Sequence, residues 1–370
     1  MSSEVYFAGL RSRSPGENRC EKVVRLFDEA GFAEIIGEDD LTAIKLHFGE
    51  RGNTTYLHPV YVRQVVDRVR KQGAHPFLTD TNTLYFGSRH NAVTHLKTAI
   101  SHGFGFSVTG APLIIADGLF GDNYVEFPLN QRHFDQVKIA GDIAAARSMI
   151  VMSHFKGHSL AGFGGAIKNL AMGCAPVLGK LDQHAGLQPL VDDAVCIGCG
   201  ECATICPRSA ISRDTEASQV IPESCIGCGD CVTVCPTAAL QFNWERDVPV
   251  FIEMLTEYAL GTALQKNGRC GYFNFLMDIT PDCDCVPWSD APIVPDIGIL
   301  ASRDPVAIDC ASMDLVNLQG GLQNSILACN HQPGGDKFSG TWDYTRGARQ
   351  IEYGTEIGLG TSTYTLIEIV

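Results

Sequence analysis

Two stretches of this chain carry one cysteine spacing. Cys196, Cys199, Cys202 and Cys206 precede Pro207, and Cys225, Cys228, Cys231 and Cys235 precede Pro236. Each run reads C-x2-C-x2-C-x3-C-P, and residues 195–210 and 224–239 form a wider repeat around them. Few arrangements use such a pattern. Three cysteines two apart wrap a loop around one iron–sulfide cube and aim thiolates at three irons. The fourth cysteine ligates the neighbouring cube. The spacing therefore predicts two [4Fe–4S] clusters. Cys196, Cys199, Cys202 and Cys235 would hold one; Cys225, Cys228, Cys231 and Cys206 would hold the other. Gly198, Gly200, Gly227 and Gly229 let the backbone approach, and freed N–H groups can face the sulfurs. Zinc ribbons also use C-x2-C pairs, but four ligands complete a zinc site, which has no use for two x3-C-P endings.

This is the spacing of bacterial ferredoxins, and it occupies a small part of the 370 residues. On both sides the pattern is different. Apolar runs at 5–10, 42–48, 76–80, 113–116 and 148–154 alternate with helical stretches at 15–31, 59–71 and 91–102. A helix is expected again at 249–260, a strand at 271–278, a helix at 304–317 and a final strand at 363–370. Strands alternating with helices of this length predict an α/β fold, a mostly parallel sheet with flanking helices. A small α+β bis-cluster ferredoxin-like insertion interrupts it. The expected division is residues 1–190 and 244–370 for the two pieces of the α/β domain and 191–243 for the module. An exposed loop tip tolerates such an insertion.

Apolar residues at 45% and charged residues at 19% predict a sizeable core. A net charge of −14 argues against nucleic acid or an anionic membrane as partner. No apolar run approaches a membrane span, and the arginines at 11 and 13 follow the first apolar stretch instead of preceding it as in a secretory leader. A cytoplasmic protein is expected. Fifteen cysteines, an odd number with eight in two tight runs, suggest thiolates kept for metal rather than a disulfide framework.

Outside the module, residues 153–184 are the richest in chemistry. His154 and His158 precede a loop of Gly162, Gly164 and Gly165. Lys168 opens a helix, and Cys174 and His184 follow. A glycine loop running into a helix can cradle an anion on free N–H groups, with the lysine as counter-charge. Cys283 and Cys285 lie two apart between Asp282 and Asp284. In a turn they could chelate one metal, with Cys174 and His184 as partners from the other piece of the domain. Lys45, His47 and Glu50 follow a strand, where open α/β sheets place ligands, and could meet an anionic substrate. Asp304 is expected to cap its own helix. Cys20, Cys310 and Cys329 read as packing residues.

Together these segments resemble the domain-of-unknown-function 362 family in its ferredoxin-bearing form. The marks are K-L-H-F-G-E at 45–50, H-F-K-G-H at 154–158, G-F-G-G-A-I-K-N-L at 162–170, C-D-C at 283–285 and D-P-V-A-I-D at 304–309. The resemblance implies a bis-cluster protein without a settled activity. His158, Gly162 to Gly165, Lys168 and His184 are also similar in order and spacing to the nickel-pincer lactate racemase family. That similarity implies a tether at Lys168, a nickel ligand at His184 and an acid–base role for His158. The racemase's early Asp–Thr–Arg segment is replaced here by residues 45–53, and its other proton-transfer histidine is matched at best by His90.

The leading expectation is an iron–sulfur oxidoreductase. A redox partner (a ferredoxin, flavodoxin or oxidoreductase) would feed the two clusters. These would relay electrons to a small-molecule substrate, or to a third metal centre, in the α/β domain. An electron-transfer protein with a docking domain and a racemase-like proton-transfer enzyme are the alternatives.

Overall fold

A computed structural model describes residues 2–212, 217–243 and 247–369. An eight-stranded sheet organises the chain. Its strands are β1 (Ser3–Gly9), β2 (Leu41–Lys45), β3 (His75–Asp80), β4 (Leu113–Ile115), β5 (Ser148–His154), β6 (Cys270–Leu276), β7 (Gly298–Ser302) and β8 (Tyr364–Glu368). They lie in the order β8-β1-β7-β6-β5-β2-β3-β4. β7 is antiparallel to both neighbours, and every other pairing is parallel. The expected mostly parallel α/β fold is the one the chain forms. Strands from before and after the cysteine-rich segment share the sheet.

Both faces are covered, so the central strands read as unbroken apolar runs rather than alternating ones. All seven residues of β5 are buried. Ile150 and Met152 point to one core and Met149 and Val151 to the other. The first core is closed by α1 (Arg19–Glu29) and α2 (Pro59–Lys71). Val62, Val65, Val66 and Val69 of α2 are fully buried at helical spacing. Each contributes roughly 1.5–3 kcal/mol relative to exposure. The second core is closed by α3 (Ala166–Cys174), α4 (Asp247–Gln265), α5 (Pro305–Asn317) and α6 (Ala348–Glu356). Asp304 caps α5 by accepting from the N–H groups of Val306 and Ala307, both at 2.9 Å.

Several boundaries differ from the sequence expectation, each for a physical reason. The strand expected at 42–48 stops at Lys45, and the chain leaves the sheet to carry His47 across the strand ends. The helix expected at 91–102 is α-helical over Ala92–Ala99, then widens to a π-turn in which Gly103 adopts φ 89°. β7 was not expected: Gly298–Ser302 is five residues between a proline-rich stretch and Arg303, too short for its period to show. The last strand spans Tyr364–Glu368; Val370 lies outside the described residues.

The cysteine-rich segment forms its own small unit. Leu190–Val191 pairs with Leu240–Gln241, and Ile211–Ser212 with Gln219–Val220, both antiparallel. Short helices at Glu201–Ile205 and Asp230–Thr233 pack between them. Cys202, Ile211, Cys231 and Leu240 are its buried core. The junction expected between 243 and 244 abuts residues 244–246, which lie outside the described residues. No helix among the described residues is long and apolar enough to cross a membrane.

Candidate active site and the cysteine module

The parallel strands deliver their last residues to one edge. Lys45 ends β2, Asp80 ends β3 and His154 ends β5. The loop after β6 crosses above them and carries Cys283, Asp284 and Cys285 in a turn. Open α/β sheets bind ligands in the crevice beyond their strand C-termini.

A buried ionic network forms the floor. Lys45 lies 3.0 Å from Asp80 and donates to Asn169 Oδ1 at 2.7 Å. Arg89 reaches Glu50 at 3.2 Å and Asp80 at 3.5 Å. Glu50 also accepts from the Ser88 hydroxyl. The Tyr85 hydroxyl donates to the Cys285 carbonyl at 2.9 Å. His154 donates from Nδ1 to the Asp284 carboxylate at 2.9 Å and from Nε2 to the Met277 carbonyl, also at 2.9 Å. Lys156 donates to the His154 carbonyl at 3.0 Å and lies 3.6 Å from Asp284. Burial alone would raise the Asp284 carboxyl, but His154 and Lys156 outweigh it and hold it down at about 2.

Above this floor sit the reachable groups. Ligand atoms of His158, Cys283 and Cys285 all lie within 4.8 Å of one another. His158 belongs to a hairpin, Lys156–His158 against Gly162–Gly164. Its Nδ1 accepts from the N–H groups of Leu160 and Ala161, each at 3.1 Å. Burial holds its ring well below the usual histidine range, with Lys168 and Lys156 adding to the effect. Both lysines lie against Gly164: a β-carbon there would be 3.4 Å from Lys168 Cδ and 3.6 Å from Lys156 Nζ. The Cys283 thiol is held well below its usual range by the Cys285 S–H, with Lys168 and Lys156 assisting against burial. His47, His158, Lys168 and Cys285 are half-buried, whereas Lys45, His154, Lys156, Cys283 and Asp284 are buried. Solutes would therefore meet the first four.

The structure rearranges several sequence expectations. Cys174 is not beside the Cys283–Cys285 pair. It ends α3 with its side chain in the core, where burial pushes its thiol up to about 11. His184 also lies outside the group. It donates from Nδ1 to the Lys180 carbonyl at 2.7 Å, and its ring sits 5.1 Å from that of Phe251. His154 uses both ring nitrogens to tie the 277–284 loop to β5, a positioning role rather than an acid–base one. Lys45 is fully buried and paired with Asp80. His90 spends both nitrogens on Gly87 and Asn91.

The glycine loop is not an anion cradle. The N–H groups of Ala166 and Ile167 donate to Asp309 at 2.8 and 2.9 Å, so a carboxylate of this chain already occupies the N-terminus of α3. Gly165 allows that approach, because a β-carbon there would overlap the Asp309 carboxylate. Gly162 packs on Gly347, and Gly164 on the two lysines. Asp309, Lys156 and Asp284 help to shape this site, and sequence reasoning passed over them. All three stand inside quoted motifs, at 154–158, 283–285 and 304–309, which is the signal that could have found them. Asp309 lies five residues after a cap and reads like part of the same helix.

In the module, Cys206 from the first run joins Cys225, Cys228 and Cys231 from the second around one cavity. The charge of Cys235 is felt at Cys196. Backbone N–H groups point at the sulfurs: Ala210 at Cys206 and Ala239 at Cys235, each at 3.2 Å. The two repeats differ in surroundings. Ile197, in the first loop, is 65% exposed, whereas Ile226, its counterpart in the second, is 7% exposed. The second loop packs on the α/β domain. A β-carbon at Gly227 would lie 3.0 Å from the His184 carbonyl, and one at Gly229 would lie 3.4 Å from Leu160 Cδ1.

Among curated proteins no match is found. Among solved structures the chain is similar to that described as "Structure of the lactate racemase apoprotein from Thermoanaerobacterium thermosaccharolyticum". The identity is 13% and the TM-score 0.42, covering 74% of this chain and 50% of that one. The chain thus spans about half the length of that structure. A family profile described as "Domain of unknown function (DUF362)" matches residues 42–314, so the chain belongs to the DUF362 family.

Proposed function

We propose that this protein is an iron–sulfur oxidoreductase in which two [4Fe–4S] clusters relay electrons from a partner to the site at the strand ends. The donor set suits them. Four thiolates surround one cavity in the crossed arrangement that the spacing demands, and backbone N–H groups face the sulfurs. The clusters would supply one-electron transfer. One observation carries the direction of flow: equivalent isoleucines are 65% and 7% exposed. The Cys196 loop is the entry and the Cys225 loop the exit, because the exit loop touches Leu160, two residues from His158. A ferredoxin, flavodoxin or oxidoreductase would dock around Ile197. Stopped-flow reduction by flavodoxin or ferredoxin tests this. Ile197→Asp should slow electron entry about tenfold and leave reduction by dithionite unchanged; equal rates with the protein donor would refute the polarity.

A second reading is proton transfer of the racemase kind, with a nickel or organic cofactor at Lys168. It is favoured by the tautomer of His184. Donating from Nδ1 leaves Nε2 with the lone pair that ligation requires. Nickel in the purified protein and a covalent adduct on Lys168 would promote it; the absence of both would remove it.

A further inference from the structure

We propose that Cys283 and Cys285 form a dithiol–disulfide couple that stores two electrons, with His158 as the hydrogen-bond donor to its reduced sulfurs. The inference deepens the relay reading and rests on it for the source of electrons.

The residues at this spot make a better thiol couple than a metal site. Both sulfurs are free and, with a His158 ring nitrogen, share a space 4.8 Å across. His158 Nδ1 accepts two backbone N–H groups, so the neutral ring carries its proton on Nε2. A ligating histidine shows the reverse, donating from the nitrogen that faces away from the metal. Cys174 and His184 lie outside the group, and among the described residues no carboxylate joins it: Asp284 is held by His154 and Lys156. What surrounds the sulfurs instead is cationic. Lys168 has no ion-pair partner among the described residues and stands with Lys156 beside the pair. Ammonium groups next to thiols stabilise the thiolate, the form that takes part in exchange. Cysteines two apart in a turn can meet the Cα separation of about 4.4–6.8 Å that a disulfide needs.

The chemistry balances. The Cys283–Cys285 disulfide accepts one electron from each of two reduced clusters, and the S–S bond breaks. The Cys285 sulfur takes one proton from solvent water, and the Cys283 sulfur remains a thiolate beside the Cys285 S–H and the two lysines, with the His158 ring within reach of both sulfurs. Solvent supplies that proton directly, because Cys285 is half-buried. Reoxidation returns two electrons and one proton. One-electron carriers thereby become a two-electron donor. The contact order along the route is Gly229, Leu160, His158, then the sulfurs, and the Leu160 N–H that binds His158 belongs to the residue touching the exit loop.

The test uses the anaerobically purified, cluster-loaded protein. It is equilibrated over a series of reduced and oxidised dithiothreitol ratios, alkylated with iodoacetamide and digested with trypsin. The peptide covering residues 270–303 contains three cysteines, Cys270, Cys283 and Cys285. The expected result is a change from three alkyl groups to one across the series, with the disulfide mapped to 283–285. Three groups at every ratio would overturn the proposal. So would a metal beyond the module's iron that disappears in the Cys283→Ser/Cys285→Ser variant. His158→Phe should move the dithiothreitol midpoint about tenfold toward the reducing side, as loss of a hydrogen bond to a charged sulfur requires, and His158→Gln, which keeps an N–H donor, should restore it; an unchanged midpoint in His158→Phe would overturn its role. If the pair cycles but is reduced no faster in loaded protein than in Cys225→Ser protein, the couple stands and the relay reading fails.

Discussion

Replacing Asp284 by asparagine tests how the Cys283–Cys285 turn is held. The carboxylate is fully buried and receives His154 at 2.9 Å and Lys156 at 3.6 Å. Asp284 thus faces the Lys156 ammonium and the His154 ring nitrogen. Removing one partner of a buried pair leaves uncompensated charge and costs about 3–5 kcal/mol. A second route gives the size of the coupling. The carboxyl is held near 2 rather than 3.8. At about 1.4 kcal/mol per pKa unit this corresponds to about 2 kcal/mol of stabilisation. In a double-mutant cycle, Asp284→Asn and His154→Gln should each destabilise by about 3 kcal/mol, and the double variant by about 1–3 kcal/mol less than their sum. Urea denaturation followed by far-ultraviolet circular dichroism under anaerobic conditions reads this out. Additivity within about 0.5 kcal/mol would show that the two side chains do not share a charge interaction, and the positioning role of His154 would fall.

Gly165→Ala should push Asp309 off the start of α3 and destabilise the protein by about 1–3 kcal/mol, the cost of overpacking a tight contact. Adding Asp309→Ala should recover part of that loss; a neutral Gly165→Ala in thermal denaturation would refute the contact. Lys180 is a buried lysine lowered to about 8, first by burial, with Lys45 and Arg89 adding to it against Asp117 and Asp80. The unfolded chain therefore binds more protons between pH 8 and about 10.4, and stability should rise with pH across that window. Relative to Lys180→Met the wild type should gain about 3 kcal/mol there, and parallel pH profiles would contradict the assignment.

The sheet was legible because its central strands are buried on both faces and so appear as apolar runs after glycine-terminated helices. β7 escaped, being short, antiparallel and unmarked by a turn signal. In the site, residue type pointed to His158, Lys168, Cys283 and Cys285, but not to which groups meet. Cys174 looked like a ligand because it follows a lysine-bearing helix, yet helix geometry turns it inward. His154 and His158 are four residues apart and alike in composition. One ends a strand between two acceptors, and the other lines an opening. The glycine loop resembled an anion cradle, since a carboxylate arriving from 140 residues away leaves no local trace. Asp309 stands in a quoted motif, but its partners at the start of α3 had to be seen in space.

The central claim is that two clusters sit in crossed coordination, one facing solvent and one facing the strand-end site. Iron and acid-labile sulfide analysis with electron paramagnetic resonance, on anaerobic wild type and on Cys206→Ser and Cys235→Ser, tests it most directly. The expected result is about eight irons and eight sulfides per chain. Cys206→Ser should alter only the signal of the inner cluster, and only that variant should slow electron arrival at the Cys283–Cys285 site when the outer cluster is reduced first. Zinc in place of iron, or a Cys206→Ser change confined to the cluster of the Cys196 loop, would contradict the account.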